Sequence, residues 1–140
     1  MRLLIDTNVL LDVLQIREPY FSDSLRIWGY CEDNIVEGYV SAMSFVNISY
    51  VMRKELTPDR MQEMFIALAL AFKVVDLHFS DLETAANMKW RDYEDAVQSA
   101  AAERINADYI ITRNTKDFQN SKVKALTPEV YFADVFTVKN

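Results

Sequence analysis

The first fourteen residues pass from one hydrophobic pattern to another. Positions 3–5 form a continuous apolar run, which is typical of a strand buried on both faces. Apolar residues then fall at positions 9, 10, 13 and 14, which is helical spacing. Three small polar residues, Asp6, Thr7 and Asn8, stand between the two patterns. The pattern therefore predicts a buried strand, a polar corner that carries a carboxylate, and a helix.

The same alternation of short apolar runs and helical spacing continues to the end of the chain. It predicts further strands at 39–40, 73–77, 108–112 and 123–126. It predicts helices at 20–34, 42–54, 58–71, from Ser80 or Asp81 to 89, 92–106 and from Thr127 onward. Strands that alternate with helices favour right-handed crossovers and a parallel sheet. We expect an α/β protein, one domain over residues 1–140, with three α/β/α layers and a central, mostly parallel sheet of about five strands.

Composition narrows the class of protein. With 51% hydrophobic and 26% charged residues the chain is typical of a globular protein. Only 2 glycines and 3 prolines argue against a turn-rich barrel and against a glycine-rich phosphate loop. The single Cys31 cannot form an internal disulfide, which favours a reducing compartment. No apolar run approaches the roughly 18 residues of a membrane span, and no signal peptide is recognisable, so we expect a cytoplasmic protein.

The formal net charge of −6 bears on possible partners. A protein that binds nucleic acid by simple electrostatic attraction is usually basic, so the acidity argues against passive binding of RNA or DNA. It does not argue against an enzyme whose acidic cluster is neutralised by bound cations, because the metal can be the largest local charge in such a site.

Polar side chains follow the ends of several predicted segments. Asp6 follows the first strand, Asp92 and Asp95 lie in the first turn of a long helix, and Asn114 and Asp117 follow the strand predicted to end at position 112. The carboxyl ends of parallel strands and the amino ends of the helices that follow them share one edge of the sheet. We therefore expect three segments, distant in sequence, to bring oxygen ligands to one place.

The predicted cluster of carboxylates indicates a metal site. Several carboxylates cannot all stay ionised in a small pocket without compensation, and a divalent cation provides it. Oxygen ligands favour Mg²⁺ or Mn²⁺, and the only histidine and cysteine, His78 and Cys31, lie elsewhere, so zinc is not expected. Mg²⁺ at such a site can lower the pKa of a bound water and stabilise a phosphodiester under attack. The chemistry that follows is metal-dependent hydrolysis of a phosphate ester.

Each of these residues also has a purely structural interpretation. Asp6 could cap the first helix, Asp92 and Asp95 are what a favourable helix start contains, and Asn114 and Asp117 could form a turn. A cap can also be a ligand, so the two interpretations are compatible.

Other polar and aromatic residues are given mostly structural or surface roles. Arg113 and Lys116, beside the acidic cluster, are the best candidates for contacts with a phosphate backbone. Asp12, like several other acidic residues on helices, is expected on a solvated face. The aromatic residues of the second predicted helix are expected in the core or at a dimer contact.

Three segments resemble the motifs of PIN domains. Residues 4–10, Leu-Ile-Asp-Thr-Asn-Val-Leu, resemble the opening motif of that family. Residues 94–101, Glu-Asp-Ala-Val-Gln-Ser-Ala-Ala, resemble the helix that carries its third acid, and residues 110–118 resemble its last motif. The likeness is greatest to the small bacterial proteins grouped with VapC-type toxins. It implies a Mg²⁺- or Mn²⁺-dependent ribonuclease, often a homodimer, and often held inactive by an antitoxin.

The resemblance also implies roles for particular residues. Asp6 and Asp95 would be metal ligands, and Asn114 and Asp117 would occupy the last acidic motif. Thr7 and Thr112 would position water or ligands, with Asn8 in support.

The chain departs from the family pattern at two positions. Asn47 stands where the family usually has a glutamate on the helix after the second strand, and Asn114 replaces a possible aspartate. Asp92, one turn before Asp95, could supply the missing carboxylate.

Three functional hypotheses remain open on the sequence. The first is a metal-dependent endoribonuclease, as the toxin of a toxin–antitoxin pair, with metal held by Asp6, Asp95 and Asp117. The second is a PIN-like module that has lost turnover through Asn47 and Asn114 and acts by binding RNA or a protein. The third is a haloacid-dehalogenase-like phosphatase with Asp6 as nucleophile, although that family has a second aspartate where this chain has Asn8.

Overall fold

A parallel sheet of five strands forms the centre of the computed structural model, which describes residues 1–136. The strands are β1 (Arg2–Ile5), β2 (Glu37–Ser41), β3 (Lys73–Val75), β4 (Tyr109–Ile111) and β5 (Ala125–Leu126). Their order across the sheet is β3-β2-β1-β4-β5, and each neighbouring pair is parallel. The α/β class and the five-stranded sheet predicted from the sequence are confirmed.

Helices cover both faces of this sheet. They are α1 (Thr7–Leu14), α2 (Phe21–Glu32), α3 (Ala42–Val51), α4 (Pro58–Ala71), α5 (Phe79–Met88), α6 (Tyr93–Arg104) and α7 (Pro128–Val130). A 3₁₀ helix spans Thr115–Phe118, and a π-helical turn spans Tyr131–Phe136. No helix within residues 1–136 is long and apolar enough to cross a membrane.

The central strand β1 lies buried between the two helical layers. Leu3 and Ile5 belong to one hydrophobic cluster, with residues of α1, α2 and α4. Leu4, which points to the opposite face, belongs to a second cluster that contains Ala101 of α6 and Ile110 of β4. Because β1 contacts both layers, the polar corner that follows it has a fixed place at the carboxyl edge of the sheet.

The predicted segments agree with the structure in type and differ at their ends. The strands predicted at 73–77, 108–112 and 123–126 are shorter in the structure, where they span Lys73–Val75, Tyr109–Ile111 and Ala125–Leu126. The cap predicted at Ser80 or Asp81 is wrong, since His78 is the N-cap of α5. Asp81 instead accepts a hydrogen bond from the His78 backbone N–H at 3.1 Å and lies buried against Arg104.

The two glycines differ in the space that surrounds them. A β-carbon built at Gly38 in β2 lies 2.6 Å from the β-carbon of Cys31 in α2 and closer still to its sulfur. A β-carbon built at Gly29 in α2 has no neighbour within 4 Å. Close packing of α2 on the sheet therefore requires glycine at 38 and not at 29.

Gly38→Ala should lower the free energy of unfolding by about 1–3 kcal/mol, the usual cost of overpacking a core. Gly29→Ala should raise it by roughly 0.5–1 kcal/mol, because glycine weakens a helix interior. Urea unfolding of both variants measures the difference. Adding Cys31→Ala to Gly38→Ala should recover part of the loss, and equal effects of the two glycine variants would contradict this packing.

Candidate metal centre

Asp6 is buried at the corner between β1 and α1, with 6% of its surface exposed. Its backbone N–H donates to the Ile111 carbonyl at 2.9 Å, which ties the corner to β4. Its Oδ1 accepts hydrogen bonds from the Thr7 N–H at 2.8 Å and from Gln98 Nε2 at 3.3 Å. Its Oδ2 accepts from the Thr112 hydroxyl at 2.8 Å. Burial raises the pKa of this carboxyl, although the three donors oppose the shift.

A small polar network lies beneath this carboxylate. The hydroxyls of Thr7 and Ser44 are 2.8 Å apart, and Gln98 Nε2 donates to the Ser44 hydroxyl at 3.3 Å. Gln98 is 1% exposed, and its Oε1 has no hydrogen-bond partner within residues 1–136. Neither Ser44 nor Gln98 was predicted as part of the site. Helical spacing could have indicated both residues, because residues three apart lie on the same side of a helix. Gln98 lies three residues after Asp95, and Ser44 lies three residues before Asn47.

The Thr112 hydroxyl joins the two corners that follow β1 and β4. It donates to Asp6 and accepts hydrogen bonds from the Asn114 N–H at 3.1 Å and from Asn8 Nδ2 at 3.3 Å. Asn8 Oδ1 in turn accepts from the Arg113 N–H at 3.3 Å. Thr112 and Asn8 therefore fix the geometry of the corner, while the Asn114 side chain is exposed.

The first turn of α6 brings Asp95 close to the other acids. Asp92 caps this helix and accepts a hydrogen bond from the Asp95 N–H at 3.1 Å. Burial, followed in order of size by the negative charges of Asp6, Asp92, Asp117 and Glu94, raises the pKa of Asp95 to about 7. The sequence-predicted acids Asp6, Asp92, Asp95 and Asp117 are thus near enough to interact electrostatically.

Glu94 is an acidic neighbour that the sequence reasoning did not select. Its Oε1 accepts a hydrogen bond from Asn47 Nδ2 at 2.7 Å. Glu94, Asn47, Asp6 and Asp95 line one cavity of about 460 Å³. Burial and the charges of Asp92 and Asp6 raise the pKa of the Glu94 carboxyl. The position of Asn47 on α3 is therefore linked directly to an acid on α6.

Asp117 and Lys116 lie in the 3₁₀ helix after β4, and both are exposed. With Asp92 they line a second cavity, of about 850 Å³. The acids of the site are thus divided between two cavities, with Asp6, Glu94 and Asp95 in the smaller one.

A profile of the PIN domain family matches residues 2–116. The chain belongs to the PIN domain family. The match covers all three segments that resembled PIN motifs, apart from the last residues of the third, and it favours the PIN hypothesis over the phosphatase hypothesis. A search of curated proteins gives no match.

Solved structures of bacterial toxin–antitoxin proteins have the same fold as this PIN domain. One is a toxin–antitoxin complex from Klebsiella pneumoniae, with 23% identity and a TM-score of 0.68, covering 89% of this chain and 96% of that one. Another is VapBC2 from Rickettsia felis bound to a promoter DNA fragment, with 13% identity, a TM-score of 0.67 and coverage of 91% and 98%. A third is the sarcin–ricin-loop-cleaving toxin VapC20 of Mycobacterium tuberculosis, with 12% identity, a TM-score of 0.63 and coverage of 77% and 86%.

The acidic residues of this PIN domain fit a hydrated divalent cation. Within the described residues no three side chains of Asp, Glu, His or Cys converge closely enough to chelate an ion directly. Mg²⁺ usually keeps several of its waters and takes only one or two carboxylates, so direct chelation by three acids is not required. The raised pKa of Asp95 indicates uncompensated negative charge, which a cation would neutralise.

Arg113 forms an ion pair with a buried acid of α1. Its Nε lies 3.0 Å from Asp12 Oδ2, and its guanidinium carbon is 4.4 Å from the ring centroid of Tyr20. Asp12 is fully buried and also accepts a hydrogen bond from the Ser24 hydroxyl at 3.1 Å. The solvated face expected for Asp12 is therefore wrong. Arg113 has a structural role as its partner, and the RNA contact predicted for Arg113 stays a prediction.

Asp12→Asn should lower the free energy of unfolding by about 3 kcal/mol, because it leaves the largely buried Arg113 cation without its partner. The matched control is Glu103→Gln, which removes the exposed pair with Lys122 and should change stability by less than about 1 kcal/mol. Urea unfolding compares the two. Similar losses from both variants would show that the Asp12–Arg113 pair does not hold α1 to the loop after β4.

Proposed function

We propose that this PIN domain protein is a metal-dependent endoribonuclease that acts in the cytoplasm as the toxin of a toxin–antitoxin pair. The observation that carries the proposal is the convergence of Asp6, Asp95 and their acidic neighbours on one edge of the sheet. Family membership supports a nuclease, and the toxin–antitoxin proteins of the same fold support the biological role.

Asp6 and Asp95 would hold Mg²⁺ or Mn²⁺, with Asp117 and Asp92 as further acidic neighbours. Such an ion, when bound, would supply Lewis-acid stabilisation of the phosphate charge and would lower the pKa of water. The Thr112 hydroxyl and the Gln98 amide hold the Asp6 carboxylate in one orientation. That orientation lets Asp6 bind an ion without the cost of ordering its side chain first.

Asp6→Asn and Asp95→Asn should each reduce cleavage of mixed single-stranded RNA in Mg²⁺ or Mn²⁺ by at least about 100-fold, since each removes an anionic ligand. The matched control is Asp33→Asn, which changes an exposed aspartate after α2 and should cleave normally.

Thermal unfolding of the same variants supplies a second measurement. Mg²⁺ should raise the Tm of the wild type but not of Asp95→Asn, whereas Asp95→Asn in EDTA should unfold at a higher temperature than wild type because repulsion is relieved. Full cleavage by either site variant would refute the mechanism.

Glu94 takes the place of the glutamate that the PIN pattern has on α3. Asn47 occupies that α3 position and donates to the Glu94 carboxylate at 2.7 Å. Both side chains line the cavity that contains Asp6 and Asp95. Glu94 would thus supply from α6 a negative charge to the cavity that Asn47 lines from α3, which favours an active enzyme over a PIN module that has lost turnover.

Returning the acid to α3 should preserve activity. Glu94→Gln alone should lower cleavage and weaken Mg²⁺ binding about tenfold or more, whereas the double variant Asn47→Glu with Glu94→Gln should recover most of both, because the charge of the cavity is restored. Cleavage rates and calorimetric Mg²⁺ titrations measure the two effects. If Glu94→Gln behaves as wild type in both assays, Glu94 has no such role.

An antitoxin and a second copy of the chain are the proposed protein partners. Helices α3 and α4 present exposed apolar residues, among them Val46, Tyr50, Phe65, Ile66 and Leu70, of which Leu70 is 77% exposed. Phe45 and Phe65 join the two helices, with ring centroids 5.5 Å apart. Exposed apolar patches of this kind are typical of protein–protein contacts.

A further inference from the structure

The larger cavity beside the acidic residues has basic walls. It is lined on one side by the turn between α5 and α6, which contains Lys89, Trp90 and Arg91, and on the other by the 3₁₀ helix and the residues after it, including Lys116. Its volume of about 850 Å³ lies in the range of cavities that bind whole small ligands, and it is larger than a single inorganic anion requires.

The cations of this cavity are not used in ion pairs. Lys89, Arg91 and Lys116 are exposed, and none lies within 4.0 Å of an acidic side chain in the part of the chain that the structure describes. Five basic residues of the described chain are paired with acids, among them Arg104 with Asp81 and Lys122 with Glu103, whereas others, such as Lys54 and Arg60, are also outside ion pairs. Three unpaired cations around one cavity form a local binding site for negative charge.

The walls of the cavity are held in place by packing. The turn begins at Lys89, which ends α5 in the left-handed conformation with φ of 58°. The next residue, Trp90, packs edge-on against Phe118 of the 3₁₀ helix, with ring centroids 6.1 Å apart. Phe118 is 2% exposed. The contact joins the turn to the 3₁₀ helix, so the basic side chains stand on a preformed frame.

The cavity adjoins the acidic residues of the candidate metal centre. Asp92 and Asp117 belong to its lining, and their charges act on Asp95. A polyanion that crosses the metal centre would therefore place its next segment against Lys89 and Arg91. Each nucleotide of RNA contributes one negative phosphate, and contacts of Lys and Arg with phosphates position the strand without reading its sequence.

We propose that this cavity is a subsite for the phosphate and sugar of an RNA nucleotide adjacent to the cleaved bond, with Lys89 and Arg91 as phosphate ligands. The proposal rests on the proposed ribonuclease function. Such a subsite would allow a chain of net charge −6 to bind RNA, because Lys89, Arg91 and Lys116 stand together where the strand would lie.

The test is a charge reversal, Lys89→Glu with Arg91→Glu, in the Asp95→Asn background that should not cleave. Binding of a fluorescein-labelled single-stranded RNA of randomised sequence is followed by anisotropy over a series of salt concentrations. The double variant should bind RNA at least about tenfold more weakly. The slope of the logarithm of the binding constant against the logarithm of salt concentration should fall in magnitude by about 1.4, or about 0.7 for each lost phosphate contact.

The matched control is Lys122→Glu with Lys124→Glu, which makes the same charge change just before β5, at two lysines that do not line the larger cavity. It should weaken binding much less. Equal losses from the two pairs, no loss from the first pair, or no RNA binding by the parent would overturn the subsite.

A cleavage assay of the same pairs in the wild-type background separates this proposal from the proposed function. Lys89→Glu with Arg91→Glu should raise KM for RNA at least about tenfold, while a Mg²⁺-dependent rise in Tm at least as large as that of the wild type is retained. Cleavage with unchanged KM would refute the subsite alone. Absence of cleavage by the wild type, together with selective loss of binding in the first pair, would refute the nuclease and support the subsite.

Discussion

The buried carboxylate of Asp6 is the constraint on which the arrangement of this molecule depends. A carboxylate removed from water is destabilising unless hydrogen bonds replace its hydration. The donors come from separate parts of the chain, namely Thr7 at the start of α1, Gln98 on α6 and Thr112 after β4. Satisfying one charge thus fixes two helices and two strands relative to each other, and the fold and the site have a common origin.

Several further acidic side chains lie near the Asp6 carboxylate, and their repulsion destabilises the folded state. Mutual repulsion and burial raise the pKa of Asp95 to about 7 and raise that of Glu94. Such a cluster has no benefit for folding, since the same positions filled by neutral residues would avoid the repulsion. A ligand that brings positive charge would offset this repulsion, and strongly perturbed carboxyls at a cleft are typical of functional sites.

The sequence predicted fold and site most accurately where a short hydrophobic pattern directly reflects which residues are buried. The apolar run of β1 followed by Asp6, Thr7 and Asn8 predicted both a central strand and the site corner, because each is encoded within a few residues. Asp12 shows the limit, since helical periodicity placed it on a polar face and only Arg113, distant in sequence, explains its burial. Glu94 was not predicted as a site residue for a similar reason. Its partner Asn47 lies on another helix, and no local sequence pattern connects the two.

Net charge is a poor guide to what such a molecule binds, since the distribution of charge decides the local field. The acids that give this chain its charge of −6 include those gathered around the candidate metal centre, where a cation would cancel part of their field. The basic residues next to them, Lys89, Arg91 and Lys116, are left unpaired within residues 1–136. A metal that neutralised these acids would make the field on the side of the larger cavity more positive. Metal binding and the attraction of a polyanion would then be coupled by electrostatics, without requiring a change in conformation.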